Sequence, residues 1–158
     1  MKFEIDSSSI YQTEAIATSI GSLLRGGEVI ELSSELGGGK TTFTHGLASG
    51  IGSNDKVASP TFTISRIYNG KNIDIHHFDF YRLSDSGLMA HELVDVMKDP
   101  KNVVVVEWAE LMNNVLPTDR LRIEFKYIDE KNRKLLFTCP ESLSYLVGEY
   151  VNTSDSNR

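Results

Sequence analysis

Three glycines followed by Lys-Thr, set between a short apolar stretch and an amphipathic one, constrain this chain more than any other feature. The segment reads SELGGGKTTF, residues 34–43. Before it, EVIEL at Glu28 to Leu32 has the length and composition of a strand. After it, TTFTHGLASGIG places Phe43, Leu47 and Ile51 on one face of a helix. A glycine-rich turn from strand to helix aims successive backbone N–H groups at an anion held on the helix N-terminus. The pattern G-x-x-x-x-G-K-[ST] is met at Gly39, Lys40 and Thr41, and departs at Ser34, where a first glycine is expected. Gly37, Gly38 and Gly39 give close backbone access to phosphates. Lys40 is expected to reach the β- and γ-phosphate oxygens, and the Thr41 hydroxyl to ligate Mg2+.

A phosphate loop binds; hydrolysis needs an acid on the metal side and a group that positions water. VVVVEWAE supplies Glu107 at the end of a continuous apolar run, the mark of a strand buried on both faces. That is the carboxyl edge where open α/β sheets hold ligands. HHFDFYRL supplies Asp79 within a frame of Phe78, Phe80 and Tyr81. A carboxylate among aromatics needs a partner, which Mg2+, its water shell or Arg82 could provide. His76, His77 and Asp79 raise a transition-metal reading as well, but no third His or Cys is near in sequence, and His77 as a structural histidine fits better. SPTFT, residues 59–63, falls where a hydroxyl-bearing switch loop would sense the γ-phosphate.

The remaining elements follow from periodicity. SSSIYQTEAIATSIGSLL is expected as the first helix, with Ile10, Ile16, Ala17, Ile20, Leu23 and Leu24 on its apolar face. Ser9 and Gln12 fit a capping box, and Gly26-Gly27 stops the helix. TISRIY and NIDIHHFDFYRL form a hairpin about Asn69-Gly70. SGLMAHELVDVMKD reads as a helix ended by Pro100, DRLRIEFKYID and RKLLFTC as antiparallel strands, and PESLSYLVGEY as a last short helix. Together these predict a three-layer α/β domain of the P-loop NTPase kind with a mixed, partly antiparallel sheet. One domain is expected over residues 1–150, with a polar, disordered tail over 151–158.

Composition narrows the setting. The chain has 158 residues, 40% hydrophobic and 24% charged, the balance of a globular domain. Cys139 is the single cysteine, so a disulfide framework is excluded and a cytoplasmic setting is the expectation. No apolar stretch has the length of a signal peptide or a membrane span. A net charge of −6 without a basic block argues against gripping nucleic acid unaided.

Taken in order, LGGGKTTF, SPTFT, HFDFYRL, VVEWAE and Leu116-Pro117 resemble the TsaE family, bacterial ATPases of tRNA threonylcarbamoyladenosine modification. SIYQT, residues 9–13, is similar to the family's opening, and the resemblance spans roughly residues 9–137. It implies ATP as ligand, held by Lys40 and the loop residues Gly37 to Gly39 with Thr41 and Thr42. It implies Mg2+ held by Thr41 and Glu107, and Asp79 as a catalytic or water-positioning carboxylate. Trp108 matches a tryptophan implicated in activity, Thr13 is expected near the nucleotide, and Arg133 near its base. The implied partners are the TsaB and TsaD proteins, with tRNA contacted only through them and no membrane involved.

Other functions remain open to the residues themselves. A small P-loop kinase would need arginines in a lid, and this chain has seven arginines with no Arg-rich insertion. A GTPase would need a guanine-reading Asn/Thr-Lys-x-Asp segment, which is absent from the sequence. A nucleotide-sensing module without catalysis would bind ATP and never turn it over.

Overall fold

The computed structural model describes residues 1–35, 37–60 and 63–154. Seven strands, β1 (Lys2–Ser7), β2 (Val29–Ser33), β3 (Ser65–Asn69), β4 (Asp74–Asp79), β5 (Asn102–Glu107), β6 (Leu121–Tyr127) and β7 (Arg133–Thr138), form one sheet in the order β1-β7-β6-β2-β5-β4-β3. The central four, β6, β2, β5 and β4, run parallel. β3 joins β4, and β7 joins both β6 and β1, antiparallel. The helices are α1 (Ile10–Leu23), α2 (Lys40–Gly50), α3 (Gly87–Lys98) and α4 (Gly148–Ser154). The expected mixed sheet between helical layers is what the chain forms.

β5 shows why its apolar run is unbroken. Val103 and Val105 enter the core shared with Ile20, Phe43 and Leu47 of α1 and α2. Val104 and Val106 enter a second core with Leu93 of α3 and Met112. A strand that feeds a core on each face has no polar side to show. In β6, two strands along the sheet from β5, the rule changes: Leu121, Ile123 and Phe125 are buried while Arg122, Glu124 and Lys126 are exposed.

α1 and α2 meet through glycines. A Cβ on Gly21 would lie 2.5 Å from the Leu47 carbonyl oxygen, one on Gly46 2.5 Å from Ala17 Cβ, and one on Gly50 2.5 Å from the Thr18 carbonyl oxygen. Gly46 meets Glu14 and Ala17, and Gly50 meets Thr18 and Gly21, so the two helices run in the same direction.

Several expectations change. β1 is an unanticipated edge strand, with Phe3 stacked on Phe137 of β7 at 4.9 Å. Ile10 and Leu23 of the expected apolar face are exposed, Ile10 by 65%, because the stripe of α1 that meets α2 is set by Thr13, Ile16, Ala17, Ile20 and Gly21. The capping box is only half formed. The Ser9 hydroxyl accepts the Gln12 amide at 3.1 Å, but the Gln12 side chain reaches Ser8 rather than Ser9. The last expected helix is split into a 3-10 segment, Glu141–Leu146, and α4. α4 carries the chain past residue 150 to Ser154, and residues 155–158 of the expected tail lie outside the described residues.

Candidate phosphate-binding site

The glycine loop leaves β2 and enters α2 through two left-handed residues, Gly37 (φ 79) and Gly39 (φ 108), which a side chain would strain. The Gly38 amide donates to the Glu35 carbonyl at 3.1 Å, and the Phe43 amide to that of Gly39 at 3.1 Å, which begins α2. The free amides of the first helical turn therefore open at the end of β2. Ser34 takes the place of a first glycine without breaking this path: its hydroxyl donates to the Glu35 carbonyl at 2.7 Å.

A cleft of about 260 Å³ sits over this turn. It is lined by Gly37 to Thr42 together with Ser59, Asp79 and Glu107. Asp79 and Glu107 are register partners at the last positions of the neighbouring parallel strands β4 and β5, so pairing alone brings the two carboxylates together. Both are nearly buried. Asp79 Oδ1 accepts the Tyr81 amide at 2.9 Å.

Lys40 is also buried. Its ammonium lies 3.7 Å from Glu107 Oε1, donates to the Ser34 carbonyl at 3.4 Å, and sits 5.1 Å from the Trp108 ring centroid. A buried cation needs such company. The other Glu107 oxygen, Oε2, lies 2.7 Å from His77 Nε2. His77 therefore serves the acid, a role its sequence position did not disclose beyond a structural one. His76, on the same strand, has its pKa lowered by burial, partly offset by its bond to Asn102. Among the described residues no group of three His, Cys, Asp or Glu could hold a transition metal.

Trp108 follows Glu107 with φ 56, a left-handed backbone that is strained for a bulky residue. The turn lays its indole against Tyr81, 4.9 Å between centroids. Trp108 borders a second cavity of about 700 Å³ on the other side of the loop, shared with Gly37, Gly38, Phe125 and Tyr127. Among the described residues Ile64 is the other non-glycine residue in the left-handed region (φ 67), and it follows the segment that holds Ser59. Of the expected hydroxyl loop, Thr61 and Phe62 lie outside the described residues; Ser59 lines the cleft and the Thr63 amide donates to the Pro60 carbonyl at 3.0 Å.

Three expected residues do not line this cleft: Trp108, which borders the second cavity, and Thr13 and Arg133. Thr13 is buried, its hydroxyl 2.6 Å from that of Ser7. The Arg133 guanidinium lies 4.6 Å above the Tyr127 ring and borders a third cavity of about 560 Å³ with Ser7, Ser8 and Gln12. Thr13 reaches that cavity only through Ser7. Gly37, Gly38, Gly39, Lys40, Thr41, Thr42, Asp79 and Glu107 are thus brought together, while Arg133 lies beside a separate opening and Thr13 behind Ser7. No helix among the described residues is long and apolar enough to cross a membrane.

Comparisons with known proteins place the chain in a family and match its fold. A family model described as "Threonylcarbamoyl adenosine biosynthesis protein TsaE" matches residues 7–135. The tRNA threonylcarbamoyladenosine biosynthesis protein TsaE of Bacillus subtilis (strain 168) is 36% identical over 146 residues, covering 92% of this chain and 90% of that protein. Its counterpart from Streptomyces coelicolor is 44% identical over 107 residues, 66% of this chain and 72% of that one. The crystal structure of YdiB from B. subtilis superposes with a TM-score of 0.79 at 32% identity, covering 98% and 97% of the two chains.

Proposed function

Since this chain belongs to the TsaE family, we propose that it is a Mg2+-dependent ATPase of the machinery that makes N6-threonylcarbamoyladenosine in tRNA. We further propose that it works in the cytoplasm in a complex with TsaB and TsaD and meets tRNA only through them. One observation carries the enzymatic reading. Three separate elements, the β2–α2 turn, the end of β4 and the end of β5, deliver amides, an ammonium, a hydroxyl and two carboxylates to one cleft.

The division of work follows from chemistry. The amides at the start of α2, from Gly39 to Thr42, and the Lys40 ammonium would neutralise the phosphates on the helix N-terminus. The donor set in the cleft is oxygen-rich, with the Thr41 hydroxyl and the Glu107 and Asp79 carboxylates, which suits Mg2+ rather than a softer metal. Bound there, Mg2+ would supply charge neutralisation between the terminal phosphates. Thr41 and Glu107 would hold it, and Asp79 would orient the attacking water or a water of the metal. Lys40, drawn toward Glu107 at 3.7 Å, would swing its charge to the incoming phosphates.

The deciding experiment is ATP turnover by the purified chain, alone and with the TsaB and TsaD proteins of the same source. Slow turnover that rises with the partners is the expected result. ATP binding without turnover in either condition would replace the ATPase with a nucleotide sensor. ADP formation that depends strictly on a small acceptor would make it a kinase.

A further inference from the structure

Glu107 is held from behind by a line of buried groups that leads out of the cleft and returns to it. His77 Nε2 meets Glu107 Oε2 at 2.7 Å, and the His77 ring is fully enclosed. Its other nitrogen, Nδ1, lies 3.5 Å from the Tyr68 hydroxyl, which is itself buried. The Tyr68 hydroxyl donates to the Ala58 carbonyl at 2.9 Å. Ala58 immediately precedes Ser59, which lines the cleft together with Lys40. The line thus runs from β5 across β4 to β3, then to the segment before β3, and both of its ends face the same space.

Core packing alone would be met by apolar side chains at 68 and 77. Two polar groups in an enclosed site are costly unless paired, and here each pairs toward the cleft. The Glu107 carboxylate at 2.7 Å takes the hydrogen of His77 Nε2, which leaves Nδ1 as an acceptor. The Tyr68 hydroxyl hydrogen is shared, mainly with the Ala58 carbonyl at 2.9 Å and weakly with Nδ1 at 3.5 Å. A shift of the Glu107 carboxylate alters the His77 ring, and the ring alters the hold on Ala58.

Resting on the ATPase reading, we infer that His77 and Tyr68 are positioning residues that set Glu107 and the Ala58–Ser59 backbone as one unit. They link occupancy on the acid side of the cleft to the placement of the segment that carries Ser59. Neither touches the substrate.

Tyr68→Phe removes the hydroxyl and keeps the ring. ATP turnover and limited trypsin cleavage after Lys56, exposed two residues before Ala58, are measured with wild type and variant, the cleavage with and without a non-hydrolysable ATP analogue and Mg2+. In the wild type the analogue slows cleavage at Lys56. In Tyr68→Phe, kcat falls about fivefold, the worth of one neutral hydrogen bond, KM changes little, and the analogue no longer protects Lys56. His77→Gln keeps a polar group for Glu107 but cannot span both contacts, and is expected to give the same split should Tyr68→Phe fold poorly. A soluble, folded variant with wild-type kcat and wild-type protection overturns the inference and leaves the ATPase reading standing. A wild type that does not bind the analogue at all overturns the ATPase reading and the inference with it.

Discussion

Ser34 and Gly38 are complementary across the phosphate loop: a Cβ built on Gly38 would lie 2.5 Å from the Cβ of Ser34 and clash with its hydroxyl. The departure from the usual first glycine is thereby absorbed by the glycine four residues later. Gly38→Ala is expected to disrupt the loop and weaken nucleotide binding at least tenfold, through overpacking that costs about 1–3 kcal/mol. Ser34→Gly alone is expected to be near neutral, and Ser34→Gly with Gly38→Ala to recover much of the loss. A double-mutant cycle on ATP affinity measures the coupling, and strictly additive losses would contradict the steric account.

Lys40→Ala removes the one ammonium that the described residues bring to the cleft and would leave Glu107 facing the phosphates with its charge uncompensated on that side. Charge-assisted hydrogen bonds of about 1.5–3 kcal/mol are lost, so Mg-ATP affinity is expected to drop on the order of a hundredfold. Calorimetric titration reads this directly; unchanged affinity would sink the phosphate-loop assignment.

Glu107→Gln keeps a hydrogen-bonding group against His77 but removes the negative charge. ATP without metal is expected to bind as well as, or better than, to the wild type, since a carboxylate no longer repels the phosphates. Turnover is expected to fall by about a hundredfold or more, with the stimulation by Mg2+ largely gone. Full turnover in this variant would exclude Glu107 as the acid on the metal side.

Away from the cleft, Tyr145 donates its hydroxyl to Glu28 Oε1 at 2.7 Å, while Glu28 also accepts the Arg25 and Gly26 amides. Burial, then the Glu28 bond, push the Tyr145 phenol well above its ordinary value. A raised pKa contributes stability that is complete below the unfolded phenol value of about 10 and fades as pH rises beyond it. Tyr145→Phe is expected to be less stable than wild type by about 1.5–3 kcal/mol at pH 8, with the gap narrowing above pH 10. Urea unfolding of both proteins between pH 8 and 11 tests the sign; a gap that widens with pH would contradict it.

How much of this could be read from the residues varies with the range of the interactions involved. The loop, α2 and β5 were legible because their signals are local: glycines at a strand-to-helix turn, and an apolar run with no polar alternation. Glu107 was legible as a strand-end carboxylate and Asp79 as a carboxylate among aromatics, but that Asp79 ends β4 in register with Glu107 needed the strand order. β1 escaped because Phe3 and Ile5 alternate over a stretch too short to stand out at the beginning of the chain, and its partner β7 lies more than a hundred residues away. The exposed Ile10 shows the reverse error, an apolar residue counted into a stripe that tertiary packing passes by. The tie from Glu107 through His77 to Tyr68 depends on β3, β4 and β5 lying side by side, which no local pattern encodes. Thr13 and Arg133 rested on family resemblance; the fold sets Arg133 beside a neighbouring cavity and Thr13 behind Ser7.

The glycine contacts between α1 and α2 make the two helices a fixed frame. With backbone touching backbone, α2 can neither tilt nor slide without α1, and the amides at its start keep their aim. Ser59, by contrast, sits on the segment that connects α2 to the edge strand β3. Because the two helices are parallel, the exposed start of α1, with Ile10 and Tyr11, lies at the same end as the glycine loop. A push applied there would travel as through a rigid lever, turning the phosphate-facing amides as a block rather than reshaping them one by one.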